Sequence, residues 1–92
     1  MEIEQLKAIL SRLEELYEKR QLAKTIIKEK MRNKALSEVD KDIANYSAFF
    51  PYELKEIFNK EVGANSLNYS HADDISMCID ILRRIIKEKS NV

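Results

Sequence analysis

Residues 3 to 17 read IEQLKAILSRLEELY, and the spacing of the apolar residues in this stretch decides the fold class. They recur at intervals of three and four residues, which places them on one side of an α-helix. The members of this stripe are Ile3, Leu6, Ile9, Leu10, Leu13, Leu16 and Tyr17. Because a helix with one apolar side buries that side against another element, the stretch predicts a first helix within a larger helical assembly.

The apolar stripe changes direction after Tyr17. Its continuation meets Arg20 and Lys24, which are charged, and the next apolar residues point about a quarter turn away. These residues are Leu22, Ala23, Ile26, Ile27 and Met31. Residues 2 to 34 contain neither glycine nor proline, so we expect one long helix through this region. The alternative is a break near residues 19 to 21.

A second and a third helix are expected to meet at Pro51. Ser37 and Asp40 resemble a capping box at the start of the second helix. Its apolar side comprises Leu36, Val39, Ile43, Tyr46 and Phe50. Pro51 ends this helix and suits the first position of the next one, and Gly63 suits the residue that terminates it. The apolar side of this third helix comprises Leu54, Ile57, Phe58 and Val62.

A last helix is predicted from about residue 71 to 89, after a loop and a second Ser-x-x-Asp cap at Ser70 and Asp73. Its apolar side comprises Ile75, Cys78, Ile79, Leu82, Ile85 and Ile86, with Ile81 at the border. One glycine and one proline in 92 residues argue against a β architecture, which needs many tight turns. We therefore predict an all-α fold: a small antiparallel bundle of about four helices in a single domain, residues 1 to 92, with long helices at both ends and two short ones between.

Four of the seven aromatic residues lie in the ten-residue stretch NYSAFFPYEL, residues 45 to 54. Tyr46 and Phe50 continue the stripe of the second helix, and Phe49 flanks it. We expect these rings mainly to fill one end of the core, because large rings at a helix–helix corner bury much area. Only Tyr52, which lies off the apolar side of the third helix, is expected to face outward.

The composition excludes several classes of function. The 16 basic residues balance the 16 acidic ones, and a single cysteine permits no intrachain disulfide. No stretch is apolar enough to span a membrane, and the acidic, amphipathic start does not resemble a signal peptide, so we expect a cytoplasmic protein. Neither a phosphate-binding loop nor a nucleophile–base spacing is present. We therefore predict no enzymatic activity, catalytic residue, cofactor or small-molecule substrate.

His71, Asp73 and Asp74 form the nearest approach to a metal cluster, but acids in the first turn of a helix are expected for dipole reasons alone. We predict no metal site. Cys78 falls on the apolar side of the last helix, where a cysteine behaves as a small hydrophobic residue, and we expect it to be buried.

Two basic clusters are conspicuous. Residues 19 to 34 hold seven positive side chains and one negative, and residues 83 to 89 hold four and one. We interpret both as helix C-terminal ends, where cations complement the macrodipole. The alternative is a nucleic-acid-binding regulator that contacts phosphates. Its contact residues would be Lys19, Arg20, Lys24, Lys28, Arg32, Arg83, Arg84 and Lys87.

The number of apolar residues exceeds what one stripe per helix requires. The surplus residues that we select as contact candidates are Leu22, Ile26, Met77 and Ile81, with Tyr52 as a further possibility. They predict a non-enzymatic protein–protein interaction or regulatory module that self-associates, most simply as a homodimer, or binds another protein. The alternative is that the middle helices cover both sides of the long ones.

Overall fold

A computed structural model of the chain describes residues 1–62 and 72–91. Its four α-helices are α1 (Ile3–Ala23), α2 (Glu29–Ser47), α3 (Tyr52–Val62) and α4 (Ala72–Ser90). No strand occurs among the described residues. The predicted all-α fold with a long first and a long last helix is confirmed.

The expectation of one long helix through residues 2 to 34 is wrong, because α1 ends at Ala23. The break lies a few residues after the alternative position at residues 19 to 21. Three consecutive β-branched residues, Thr25, Ile26 and Ile27, follow the end of α1, and such residues lose side-chain freedom in a helix. The hydroxyl of Thr25 donates to the carbonyl oxygen of Leu22 at 2.6 Å, which satisfies a group that the helix leaves unpaired.

The second helix begins at Glu29, eight residues before the expected cap at Ser37. Ser37 is an exposed residue within α2, so the predicted capping box does not exist. The earlier start also makes α2 as long as α4, and only α3 is short. The chain can resume a helix at Glu29 because residues 29 to 47 contain no glycine, no proline and few β-branched residues.

The corner between α2 and α3 follows the prediction closely. α2 ends at Ser47, and the carbonyl oxygen of Pro51 accepts hydrogen bonds from the backbone N–H groups of Leu54 and Lys55, at 3.0 and 3.1 Å. Pro51 therefore precedes the first residue of α3 instead of being that residue. The predicted terminus at Gly63, the loop after it and the Ser70 cap lie outside the described residues.

The helices form an elongated bundle in which α1 packs against α2 and α4, and α3 packs against α4. Asp40 of α2 pairs with Arg20 near the end of α1, whereas Glu53, just beyond α2, lies 3.7 Å from the amino nitrogen of Met1. α2 therefore runs antiparallel to α1. The molecule measures 49 × 26 × 19 Å and so has two well-separated ends.

The orientation of α4 follows from its contacts with α1. Arg83 lies 3.7 Å from Glu14, and Ser76, two turns earlier in α4, lines a shared groove with Tyr17 and Glu18, which come later in α1. α4 is therefore antiparallel to α1. The first residues of α4 therefore lie at the end of the bundle that holds the last turn of α1 and the turn into α2.

The core is one contiguous cluster to which all four helices contribute. It comprises Leu6, Ile9, Leu13, Leu16, Ile43, Phe50, Leu54, Phe58, Ile75, Cys78, Ile79, Ile81 and Leu82. Within α2 only Ile43 and Ser47 are buried. The first half of this helix therefore contributes no fully buried side chain to the core.

Candidate interaction surfaces

The structure removes Ile81 from the predicted contact residues, because its side chain is only 8% exposed and belongs to the core. The cause is the packing of α3 against this flank of α4. Arg84, one turn after Ile81, reaches Glu61 of α3 at 2.8 Å on the same flank. The burial of Ile81 is what the alternative expects, in which a middle helix covers the surplus apolar side.

The other contact candidates do not form one surface. Leu22 is 61% exposed, and the neighbouring Ile26 is half-buried in the turn after α1. Tyr52 is exposed at the opposite end of the bundle, beside Pro51, and Met77 is moderately exposed in the first half of α4. The candidates therefore divide between the two ends of the molecule.

Sequence reasoning missed three exposed apolar side chains, including the two most exposed among the described residues, Ile27 and Phe49. Ile27, Met31 and Phe49 are 93%, 58% and 86% exposed. Ile27 and Met31 were assigned to the second stripe of a continuous helix, and that assignment fails once the helix breaks. The run of β-branched residues is the local signal for a turn at this place, and it is a weak one.

We call residues 22–34 the hairpin tip, because they contain the end of α1, the turn and the start of α2. Its apolar side chains are Leu22, Ile26, Ile27 and Met31. Arg32 donates from Nη1 to the carbonyl oxygen of Ile26 at 3.2 Å and so holds the turn. The lysines in and beside the tip are exposed and make no ion pair within the described part of the chain. They are Lys19, Lys24, Lys28, Lys30 and Lys34.

Most charges of the hairpin tip oppose the dipole of α2, although Glu29 in its first turn complements it. Lys28 occupies the N-cap position without a side-chain hydrogen bond, and Lys30, Arg32 and Lys34 follow in the first two turns. Cations at a helix N-terminus are unfavourable, by roughly 0.3–1 kcal/mol each at exposed positions. The expectation that cluster 19 to 34 complements a helix C-terminus is therefore wrong for its second half. Cations do lie at a helix C-terminus at Arg20, in the last turn of α1, and at Lys87 and Lys89, in the last turn of α4.

The opposite end of the molecule carries an aromatic and acidic surface. We call Phe49, Tyr52, Glu53 and Glu56 the aromatic corner, and all four side chains are exposed. A hydrogen bond with Glu56, together with the charge of that carboxylate, raises the pKa of Tyr52. These contacts tie the Tyr52 ring to the outer side of α3.

Only part of the aromatic cluster fills the core as expected. Phe50 is buried and makes edge-to-face contacts with Tyr46 and Phe58, at centroid distances of 5.6 and 5.8 Å. Phe49 was expected to flank the core, and the structure places it in solvent instead. Two rings of the cluster therefore face outward, Phe49 as well as Tyr52.

The four arginines proposed as nucleic-acid contacts all have partners. Arg20 donates from Nε to Asp40 at 2.8 Å, and Arg32 binds a backbone carbonyl. Arg83 contacts Glu14 and Asp80, and Arg84 contacts Glu61 and Glu88. The four proposed lysines, Lys19, Lys24, Lys28 and Lys87, are exposed. The structure does not bring the two basic clusters together, because antiparallel α4 carries its basic end away from the hairpin tip.

The one cysteine is not placed for nucleophilic chemistry. Cys78 is fully buried, and burial, followed by the nearby charge of Asp74, raises the pKa of its thiol to about 12. Only a thiolate is an effective nucleophile, and almost none forms at neutral pH with this pKa. Among the described residues no group of three histidine, cysteine or acidic side chains is close enough to hold a metal ion, and His71 lies outside them.

Comparisons of the chain with family models, with curated proteins and with solved structures found no match. In the described part of the chain no helix is both long enough and apolar enough to cross a membrane. The two end surfaces are therefore the features from which a function is inferred.

Proposed function

We propose that this protein is a non-enzymatic protein–protein interaction or regulatory module that self-associates through exposed apolar helix surfaces. The observation that carries the proposal is the hairpin tip. It presents Leu22, Ile27 and Met31 to solvent on a turn held by Arg32. Exposed apolar side chains that adjoin one another are typical of interaction sites.

The energetics favour a contact of modest strength. Full burial of an aliphatic side chain contributes about 1.5–3 kcal/mol, so three of them offset part of the entropy that association costs. Self-association should therefore depend on concentration. A homodimer is the simplest product.

The remaining features support the same proposal. Cys78, the residue with the most reactive side-chain type in the described chain, is buried and protonated at neutral pH. A buried free thiol is also compatible with a reducing compartment, and we include a cytoplasmic location in the proposal.

Sedimentation velocity over roughly 1–100 µM protein tests the proposal, because this range covers interactions of about micromolar strength. We expect the weight-average mass to rise with concentration. The double variant Leu22→Gln/Ile27→Gln should remain a monomer, because it removes apolar area from the tip. The matched control Lys41→Gln/Ala44→Gln changes two exposed residues in the middle of α2 and should behave as the wild type. A wild-type protein that is monomeric throughout would contradict self-association.

A nucleic-acid-binding regulator is the second candidate, and one observation favours it. The lysines of the hairpin tip are exposed, without an ion pair, and placed against the dipole of α2. Phosphate groups would neutralise them and release counterions. Fluorescence anisotropy with double-stranded DNA at low salt tests this candidate. Binding should weaken in Lys28→Gln/Lys30→Gln and not in Lys41→Gln, and equal binding by the two variants would reject the tip as the contact.

A further inference from the structure

We infer that copies of this chain associate head to tail, with the hairpin tip of one copy docked on the aromatic corner of the next. This inference rests on the proposed self-association and specifies its geometry. It makes a second copy of the same chain the partner of both end surfaces.

The charges of the two surfaces are complementary. Residues 19–34 carry seven positive side chains and one negative, whereas residues 35–56 carry five acids and two lysines. Asp40, one of those acids, is already paired with Arg20. Glu38 and Asp42 are exposed along α2, and Glu53 and Glu56 are exposed at the aromatic corner, where Glu53 also lies 3.7 Å from the amino nitrogen of Met1. Surfaces of opposite sign attract each other during encounter and fix the orientation of the contact.

The apolar side chains of the two surfaces also suit each other. The hairpin tip offers aliphatic side chains between lysines, and the aromatic corner offers Phe49 and Tyr52 beside carboxylates. Aliphatic side chains pack well on aromatic rings, and a lysine ammonium is attracted to the face of a ring. Contact would therefore cover Ile27 and Phe49, the two most exposed large apolar side chains among the described residues.

The two surfaces cannot meet within one molecule. Met31 and Ser47 lie at opposite ends of the same helix, and sixteen residues of α-helix span about 24 Å. The tip lies at the end of the bundle where Arg20 meets Asp40, and the corner lies where Glu53 approaches Met1. Their complementarity is therefore available between molecules and not within one.

A contact between two different surfaces leaves one free tip and one free corner on every pair. Association of this heterologous kind continues into an open chain or closes into a ring. The competing arrangement pairs two identical tips across a two-fold axis. It would bring the lysines of both copies together, and like charges at an interface are costly.

Salt separates these two arrangements. Added salt screens attraction between opposite charges, so head-to-tail association should weaken as ionic strength rises. Pairing of two tips should strengthen instead, because the same salt screens repulsion between lysines. Tighter self-association of the wild type at high salt would overturn the inference.

The decisive experiment mixes two variants that each lack one surface. The tip-blocked variant is Ile27→Glu/Lys28→Glu, and the corner-blocked variant is Phe49→Gln/Tyr52→Gln, so that the two blocked surfaces do not carry opposite charges. Each keeps one intact surface, so each should be monomeric alone, while an equimolar mixture should form a 1:1 heterodimer that grows no further. Native mass spectrometry and sedimentation velocity report the species. Circular dichroism confirms that both variants fold, and Ala8→Glu/Ser11→Glu on the exposed side of α1 serves as a control that should associate normally.

The outcomes distinguish the inference from the proposed function. A heterodimer in the mixture supports head-to-tail association. If the wild type self-associates but the mixture stays monomeric, the head-to-tail geometry is wrong and self-association stands. If the wild type is itself monomeric, self-association fails and the inference fails with it. A tip-blocked variant that still associates alone would show corner-to-corner contact and also overturn the inference.

Discussion

The guanidinium of Arg20 donates a hydrogen bond from Nε to Oδ1 of Asp40 at 2.8 Å, and the pair joins the last turn of α1 to the middle of α2. Their side chains are only 15% and 28% exposed, the most shielded pair of side chains among the ion pairs of the described residues. Because water screens this pair less than its surface counterparts, it stabilises the antiparallel packing of α2 on α1.

We expect Asp40→Asn to lower the free energy of unfolding by about 1–2 kcal/mol, since it leaves the Arg20 charge partly buried without a counterion. Arg12 and Glu15 provide a matched control, because their 2.8 Å pair lies within one helix and is well exposed. Glu15→Gln should cost less than about 0.5 kcal/mol. Urea unfolding of both variants measures the difference, and Arg20→Gln together with Arg20→Gln/Asp40→Asn completes a double-mutant cycle. Equal costs at the two sites would contradict the structural role of Arg20 and Asp40.

Phe49 and Phe50 are adjacent in sequence and opposite in environment. Phe50 is buried against Tyr46 and Phe58, whereas Phe49 is exposed. We expect Phe50→Ala to cost on the order of 3 kcal/mol, from lost burial and the cavity left behind. Phe49→Ala should change stability by less than about 0.5 kcal/mol. Thermal unfolding followed by circular dichroism compares them, and a stable Phe50→Ala variant would contradict its place in the core.

The sequence predicts those parts of the fold that depend on local periodicity. Leu6, Ile9, Leu13 and Leu16 of the first stripe are buried as expected, and so are Ile75, Cys78 and Leu82 in α4. Each of these residues lies at a spacing that only a helix places on one side.

The boundary between α1 and α2 could not be predicted in the same way, because it depends on weak local preferences. Thr25, Ile26 and Ile27 reduce helix propensity only slightly, and the packing of α2 on α1, which includes the pair of Arg20 with Asp40, is a tertiary contact that favours the reversal of the chain here. The sequence also indicated a helix start at Ser37, but Ser37 and Asp40 lie within α2 instead. A periodicity argument carries no information on such long-range contacts.

The candidate surfaces were predictable only in part. Leu22 and Tyr52 were identified as exposed because they lie off an apolar stripe, but Ile81, at the border of its stripe, is buried in the core. The sequence pattern places a residue on one helix and does not show which helices pack against it. Ile27 and Phe49 were missed because their exposure depends on where a helix ends.

Cys78 leads to a prediction on pH. Its pKa rises from the ordinary value of 9.0 to about 12 in the folded protein, because the buried site disfavours the thiolate. As the pH rises above 9, the thiol ionises in the unfolded chain before it ionises in the folded protein. The stability that Cys78 contributes to the fold is therefore fully present below pH 9 and is lost as the pH approaches 12. Between about pH 8 and about pH 10.5, the free energy of unfolding should fall by roughly 2 kcal/mol more in the wild type than in Cys78→Ala. The same loss in both proteins would contradict the pKa shift.

Burial also predicts the reactivity of the Cys78 thiol. A thiol with a pKa of about 12 and no exposed area should react slowly with a small disulfide reagent at neutral pH and rapidly once the chain is unfolded in urea. Absorbance of the released chromophore gives both rates. Rapid labelling of the native protein would show that α4 opens readily or that the thiol is accessible.

The N-cap of α2 provides the last prediction, because it separates stability from association. Lys28 caps no backbone N–H group, and it adds positive charge where the dipole of α2 is already positive. Lys28→Asp should therefore raise the free energy of unfolding by about 1 kcal/mol, since an aspartate caps the helix and complements the dipole. Lys41→Asp makes the same charge change within α2 and should not stabilise. If the tip is an interaction surface, Lys28→Asp should also weaken self-association in sedimentation velocity. A variant that gained stability and associated as strongly as the wild type would show that Lys28 has no part in the contact.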